Sequence, residues 1–439
     1  MKEITAGFLA DTEAEYRQSD IHTVARRALA KNSIGSITRV SEQTEFTRNR
    51  FSVNLQTLPA TNQKSSGRCW IFAGCNVLRE LIAKKYDLKE FELSQNFVAF
   101  YDKLEKCSFF MENVMQLMDV PEEDRTLDTI LARGIEDGGQ WDMFVNIIQK
   151  YGAAPKDAFP ETFQSSNSGE INHMLNKYVR RFAAEIRQMT DPKEKEALKT
   201  GMLKNIYKML CSAFGVPPRR FSFEYVNKSD EYNLIKDITP AEFYRDYIEA
   251  DLDGFVSIIN SPTADKPFND TYTIKYLGNV AEGKSVKYIN LEMERLKELV
   301  ICQLKDGSPV WFGSDCSKEA ARDEGVWDDL SFDRDRLFQI DTRMSKGDML
   351  DMRESAMNHA MVITGVNLED GRPTKWKIQN SWGEDTANKG YFVATDSWFD
   401  QYVFQAVVCK KYLTDAEKKD WEKEPVKLEL WDPMGTLAD

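Results

Sequence analysis

The sequence predicts an α+β fold in which a mainly helical part is followed by a β-rich part. In the first part, apolar residues recur at helical spacing, as at Ile71, Cys75 and Leu78. After Gly307 the pattern changes to short apolar or alternating runs between turn residues, which is typical of strands. The predicted strands are 310–312, 360–366, 375–379, 390–394 and 403–409.

Several helices have recognisable ends. One is predicted to begin near Gly67, and a second after Ser94, which is a suitable N-cap. Gly138-Gly139 precedes a third helix. Residues 239–242 (Thr-Pro-Ala-Glu) form a capping box with proline at the first helical position, which indicates another helix start. Further helices are predicted within 170–214 and 290–305.

Composition restricts the class of protein. The net charge of −13 argues against generic nucleic-acid binding, which needs an excess of cations to displace counterions from phosphates. The seven cysteines are irregularly spaced and include no C-x-x-C pair, so no structural zinc site is expected. The sequence has no signal-peptide pattern and no apolar run of membrane-spanning length. We therefore expect a reduced, cytoplasmic protein that does not associate with membranes.

Histidine is the side chain most often used as a general base near neutral pH, and the chain has three. His22 and His173 lie in charged helical contexts and are interpreted as surface residues. His359 directly precedes the apolar run 360–363, so it stands at the mouth of a buried strand. It is the candidate base.

Cys69 is the candidate nucleophile. A lone cysteine is usually a buried structural residue, but this one is predicted in the first turn of a helix, where the dipole stabilises a thiolate. Gln63, on the approach turn, could donate to an oxyanion together with the Cys69 amide, although such a residue alone is usually a solvated turn residue. Asn380 ends a predicted strand and could orient His359, although by itself it is more typical of a turn.

The segments around these residues resemble the three motifs of papain-like cysteine peptidases. They read Q-K-S-S-G-R-C-W, N-H-A-M-V-I-T-G-V and W-K-I-Q-N-S-W-G. The resemblance implies that Gln63 is the oxyanion donor, Cys69 the nucleophile, His359 the base and Asn380 the residue that orients it. Trp382 is expected to cover the hydrogen bond between histidine and asparagine.

Two departures from ordinary papain-like enzymes are informative. Ser66 and Arg68 replace the Cys and Ser or Ala of the C-G-[SA]-C-W pattern, so the usual disulfide partner is absent, as suits a cytoplasmic enzyme. In addition, 290 residues separate Cys69 from His359, against about 130–150 in ordinary relatives. The excess predicts a large insertion.

The chain is more similar to the bleomycin hydrolase and bacterial aminopeptidase C group. The further segments D-G-G-Q-W-D-M, S-P-T-A-D-K-P-F, W-F-G-S-D and the tail W-D-P-M-G-T-L-A carry this resemblance. It implies a papain-like two-lobed core with a helical lobe, a β-barrel-like lobe and a large helical insertion. It also implies a homohexamer with each C-terminal tail in its own active-site cleft.

The resemblance implies a cysteine aminopeptidase that acts on peptides with free N-termini and on bleomycin-like amides, without metal or organic cofactor. Gly138 and Gly139 are expected to pair with the substrate backbone, and Ala438 or Asp439 to meet the substrate amine at the cleft end. The predicted divisions are an arm with the nucleophile lobe (1–159), a mainly helical insertion (160–305), a β-rich lobe (306–412) and a tail (413–439).

Two alternatives stay open at the level of sequence. If the tail lies outside the cleft, the open cleft would suit an endopeptidase. A nucleic-acid-binding or scaffolding role in which the catalytic site is incidental is the other alternative, and the acidic net charge disfavours it.

Overall fold

The structure, a computed structural model, describes residues 2–41, 48–121 and 123–438. Helices form most of the region before residue 215 and recur at intervals beyond it. The α-helices are α1 (Ala6–Gln18), α2 (Asp20–Leu29), α3 (Ile34–Thr38), α4 (Cys69–Tyr86), α5 (Gln95–Gln116), α6 (Arg125–Arg133), α7 (Trp141–Tyr151), α8 (Phe163–Ser166), α9 (Gly169–Ile186), α10 (Pro192–Phe214), α11 (Pro240–Glu242), α12 (Met293–Lys305), α13 (Arg334–Phe338), α14 (Lys346–Asp351), α15 (Asp396–Tyr402) and α16 (Asp415–Trp421).

The strands form one large mixed sheet and one separate hairpin. They are β1 (Val53–Asn54), β2 (Phe221–Val226), β3 (Tyr232–Ile238), β4 (Phe255–Ile259), β5 (Thr271–Ile274), β6 (Tyr288–Asn290), β7 (Val310–Ser314), β8 (Ala320–Ala321), β9 (Val326–Trp327), β10 (His359–Glu369), β11 (Arg372–Gln379), β12 (Tyr391–Thr395), β13 (Val403–Cys409) and β14 (Val426–Leu428). The order in the large sheet is β14-β5-β6-β4-β13-β7-β10-β11-β12-β9-β8, with β1 also paired to β10, while β2 and β3 pair with each other.

Helix α4 packs against the large sheet and joins the helical and β-rich parts. Its first turns are buried on all sides, because it lies between α5, α7 and strands β7 and β10. The indole N–H of Trp311 on β7 donates to the carbonyl of Trp70 at 3.2 Å. The helix ends at Tyr86, after which Asp87 adopts a left-handed conformation with φ of 50°. The hydrogen bond from Trp311 to Trp70 holds the start of α4 against the sheet.

The register of the sheet sets where the predicted His and Asn meet. Strand β10 pairs antiparallel with β7, placing His359 opposite Ser314, and with β11, placing Val362 opposite Gln379. Asn380 directly follows β11, so it falls beside the first residues of β10. Both residues therefore lie at the same end of these inner strands, the end at which α4 begins.

The α+β prediction is confirmed, and the predicted strands beyond residue 307 correspond to β7, β10, β11, β12 and β13. The capping box of Thr239 is present, with Thr239 and Glu242 bonding reciprocally. The sequence analysis missed β2 to β6, which lie inside the stretch 160–305, and three of these strands join the large sheet. Strands β4, β5 and β6 are short and almost wholly buried, so they show no alternating pattern. The division into lobes stays a prediction.

No helix in the described ranges combines the length and the apolar character that a membrane crossing requires.

Candidate active site

Cys69 is the first residue of α4, and its side chain is buried. The residue before it, Arg68, makes no side-chain cap, so the first backbone N–H groups of the helix stay available to the thiol. The N–H of Ala360, the residue after His359, donates to Cys69 Sγ at 3.4 Å. The helix start and the start of β10 therefore meet at the sulfur atom.

His359 and Asn380 form a direct pair. His359 Nε2 lies 2.8 Å from Asn380 Oδ1, which also accepts the N–H of Ser381 at 2.7 Å. An amide oxygen is an acceptor only, so Nε2 is the donor and Nδ1 is the nitrogen left for the thiol. The ring of Trp382 stacks on the imidazole, with centroids 5.1 Å apart and planes inclined by 26°. The structure thus brings three of the predicted site residues, His359, Asn380 and Trp382, into one group.

Burial opposes charge on both reacting groups. It raises the pKa of the Cys69 thiol to about 11, although backbone N–H groups of Ala360 and Trp70 act in the opposite direction. Burial likewise lowers the pKa of His359 to about 4, although the hydrogen bond that His359 donates to Asn380 acts in the opposite direction. A thiolate–imidazolium pair in this closed site therefore depends on the attraction between its own two charges and on the helix N-terminus.

Gln63 is held between Ser66 and Ser381, with its side-chain amide fixed at both ends. Its Nε2 donates to the carbonyl of Ser66 at 2.6 Å, and its Oε1 accepts the hydroxyl of Ser381 at 2.6 Å. A primary amide carries two N–H donors, so one remains for an oxyanion. Ser381 was not singled out from the sequence, and it ties the oxyanion side of the site to the Asn380 segment.

Asp137 is a buried residue that the sequence analysis missed. Its carboxylate accepts the N–H of Gly67 at 2.8 Å and the amide of Asn172 at 2.9 Å, and it pairs with Lys103 of α5. Burial alone would raise the pKa of Asp137, but the Lys103 ammonium and these hydrogen bonds outweigh it and hold the pKa far below its usual range. The backbone carbonyl of Asp137 also accepts the indole N–H of Trp70 at 2.7 Å.

A signal that could have revealed Asp137 from the sequence lies on α5. Lys103 and Lys106 lie among apolar residues of that helix, and both are buried. A buried lysine needs an anionic or carbonyl partner, and these two meet Asp137 and the carbonyl of Gly138, the latter at 2.6 Å. The pair holds the turn that carries Gly67 and the segment that carries Gly138.

Gly139 has two roles in the structure. A Cβ at this position would lie 2.5 Å from the Trp70 indole, so a side chain there would collide with the core of the helical side. Its backbone N–H donates to the carbonyl of Leu437 in the tail at 3.0 Å. The backbone pairing that we predicted for the substrate is therefore taken up by the tail.

The tail lies buried against both sides of the cleft. Its last turn, Pro433–Ala438, buries Met434 and Leu437 completely or nearly so. The hydroxyl of Thr436 donates to the carbonyl of Met357 at 2.8 Å, two residues before the candidate base.

One further ion pair anchors the tail, whose last described residue borders a cavity. Lys266 Nζ pairs with Asp432 at 2.9 Å. Ala438 lines a cavity of about 80 Å³ beside Lys106 and Glu136. Asp439, the other predicted tail residue, lies outside the described residues.

Within the described ranges, no three His, Cys, Asp or Glu side chains cluster in a way that could hold a metal ion.

The chain resembles known proteins over its full length. The chain is 45% identical to aminopeptidase C of Lactobacillus delbrueckii subsp. lactis, over all of this chain and 99% of that protein. It is 38% identical to human bleomycin hydrolase over 87% of this chain and 86% of that protein. The crystal structure of PepW from Lactobacillus rhamnosis HN001 (DR20) superposes with a TM-score of 0.97 at 42% identity, covering 99% of both chains. Residues 3–435 match the sequence model of the Peptidase C1-like family. The chain belongs to that family of cysteine peptidases.

Proposed function

We propose that this protein is a cysteine aminopeptidase that removes N-terminal residues from peptides, with Cys69, His359, Asn380 and Gln63 as its catalytic residues. The proposal is supported by one observation, that the Cys69 thiol accepts the N–H of Ala360, directly after the His359 that pairs with Asn380, while the chain's own tail bonds to Gly139. The full-length likeness to proteins named aminopeptidase C supports it.

The reaction is acyl transfer to sulfur followed by hydrolysis. The Cys69 thiolate attacks the first peptide carbonyl, and the oxyanion is stabilised by the Cys69 N–H and by the free N–H of Gln63. The His359 imidazolium protonates the leaving amine, and neutral His359 then activates the water that hydrolyses the thioester. Asn380 keeps the ring in one tautomer, and Trp382 shields that hydrogen bond from water.

The tail explains the selectivity for free N-termini. Because it pairs with Gly139 and fills the cleft there, a substrate has room for few residues on the acyl side of Cys69. A terminal carboxylate at Ala438 or Asp439 would pair with the substrate ammonium, and a longer or blocked N-terminus would collide with it. Side-chain selectivity is expected to be broad, and bleomycin-like amides fall within the same chemistry.

Assembly and location are part of the proposal. We infer a cytoplasmic homohexamer whose active sites face an internal channel, with the insertion 160–305 serving assembly. Helix α1 supports an intersubunit contact, since it has no buried residue and exposes Phe8 and Leu9. Light scattering of a fully active protein at micromolar concentration tests this inference, and a monomer would overturn it.

The function is tested by comparing a leucine fluorogenic amide with its N-acetyl form on the purified protein. We expect turnover of the free amine, little turnover of the acetylated compound, and none of either by Cys69→Ala. Efficient cleavage of the acetylated compound, or of longer blocked peptides at internal bonds, would indicate an endopeptidase instead.

A further inference from the structure

An exposed arginine lies beside the catalytic histidine and has no role in the mechanism above. Arg322 is on the surface in a short turn that follows β8. Its guanidinium carbon lies 5.4 Å from the centre of the Trp382 ring, and the same ring stacks on His359. The arginine is thus one aromatic ring away from the group that protonates the leaving amine.

The guanidinium is available to a ligand. In the described part of the chain, no carboxylate pairs with Arg322. Of its two acidic neighbours in sequence, Glu324 is engaged by Arg39 at 2.6 Å, while Asp323 is exposed. The guanidinium lies within cation–π distance of the Trp382 ring, and because Arg322 is exposed, a ligand can reach its N–H groups from solvent.

The position of Arg322 relative to the cleft decides what it could bind. The tail occupies the Gly139 side of the site and thereby limits the acyl part of the substrate. The leaving side must therefore continue past His359, where the half-buried Trp382 forms the wall. A substrate residue just after the scissile bond would lie over this ring and within reach of Arg322.

We propose that Arg322 is a specificity-determining residue that binds a carboxylate on the leaving-group side of the scissile bond. The carboxylate is either the C-terminus of a short peptide or an acidic side chain that follows the bond. The inference rests on the proposed aminopeptidase function and adds to it a preference for short or acidic leaving peptides. Arginine suits this role because its fork of donors matches a carboxylate in a bidentate manner.

The positive charge of Arg322 affects the pKa of His359, as expected for an arginine on the leaving-group side of the site. Burial is the main cause that lowers the pKa of His359, the Asn380 hydrogen bond raises it, and the positive charge of Arg322 lowers it further. A bound carboxylate would offset that last effect.

The experiment compares matched pairs of substrates. The first pair is Leu-Gly against Leu-Gly-amide, which tests a terminal carboxylate, and the second is Leu-Glu-amide against Leu-Gln-amide, which tests an acidic side chain. For wild type, we expect kcat/KM to favour the acidic member of at least one pair by roughly 3- to 10-fold, with a smaller preference at high salt. Arg322→Gln should bring the ratio close to one, and Arg322→Lys should retain part of it.

Arg334→Gln is the matched control. Arg334 is partly exposed and also lies over a ring, that of Phe332 at 4.4 Å, but it pairs with Glu319. This control should keep the wild-type ratio. A wild-type ratio of one in both pairs, or a ratio that Arg322→Gln leaves unchanged, would overturn the proposal.

Binding to an inactive protein separates this proposal from the aminopeptidase function. Calorimetry of the same four peptides with Cys69→Ala should show tighter binding of the acidic member, and Arg322→Gln in that background should abolish the difference. If wild type cleaves none of the peptides, the aminopeptidase function fails, while an Arg322-dependent difference in binding would still support the carboxylate subsite. Equal binding in both backgrounds would remove the subsite.

Discussion

The two sides of the cleft hold their catalytic groups by different physical means. On the helical side, the turn before Cys69 is held by buried charges, with Asp137 bonded to Gly67 and paired with Lys103. On the sheet side, His359 and Asn380 are placed by the backbone register of β7, β10 and β11. A strand ladder fixes a side chain through many backbone hydrogen bonds, whereas a buried ion pair depends on two charged side chains.

The difference indicates where each side is sensitive to substitution. The sheet side should tolerate changes that preserve the strands, because its groups are fixed by many backbone bonds. The helical side should respond strongly to the loss of one charge, since the partner charge would then stay buried without compensation. The tail contacts both sides, through Gly139 and Met357.

The largest effect is expected at the nucleophile. Cys69→Ala should lower turnover by more than about a thousandfold while the fold survives, because no other group can form the acyl-enzyme. Cys75→Ala is the control, since Cys75 is a buried thiol on the same helix. Loss of a catalytic nucleophile usually lowers turnover by at least this factor, so residual activity of Cys69→Ala above about one part in a thousand would contradict covalent catalysis.

The next largest effect is expected on the helical side, where a substitution breaks the buried ion pair of Lys103 and Asp137. Asp137→Asn should lower the free energy of unfolding by about 3 kcal/mol, because Lys103 keeps its charge without a carboxylate. Denaturant unfolding measures this, and the double variant Lys103→Met/Asp137→Asn should recover part of the loss. If the two substitutions were simply additive, the charges would not be coupled.

The tail contacts both sides and sets the register of the substrate. Deleting residues 436–439 withdraws the terminal carboxylate from the end of the cleft, so we expect activity on substrates with free N-termini to fall roughly 30- to 150-fold. The same deletion should open cleavage of blocked peptides at internal bonds. Thr436→Val keeps the tail length and loses one hydrogen bond, so it serves as the control. A truncated enzyme that kept its full preference for free N-termini would show that another group sets the register.

The sheet side should show the smallest of these effects at Asn380. Asn380→Ala should leave activity measurable, reduced by about tenfold, because the backbone of β10 and stacking on Trp382 still hold the imidazole. Steady-state kinetics of this variant beside Asn358→Ala, which alters a neighbouring amide bonded to Asp315, measure the specific contribution. A loss as large as that of Cys69→Ala would mean that Asn380 does more than orient the base.

The contrast between the sides also explains what the sequence could predict. His359 and Asn380 are recognisable because each stands at the end of an apolar run, and strand ends are local patterns. Cys69 is recognisable from its helix start. Asp137 and Ser381 were missed because their roles come from partners 70 and 318 residues away, namely Gly67 and Gln63. The fully buried strands β4 to β6 were missed because burial on both faces removes the alternating pattern.

The central claim is that a thiol from the helical side and an imidazole from the sheet side act as one unit. Its most direct test is the rate of Cys69 alkylation as a function of pH in wild type and His359→Ala. Burial raises the pKa of the Cys69 thiol to about 11, and in His359→Ala no imidazolium opposes this effect, so the thiolate fraction should be very small at pH 6 and rise about tenfold per pH unit. We predict fast alkylation of wild type at pH 6 and a rate on the order of a hundredfold lower in His359→Ala, climbing steadily toward alkaline pH. Equal rates at pH 6 would contradict the account.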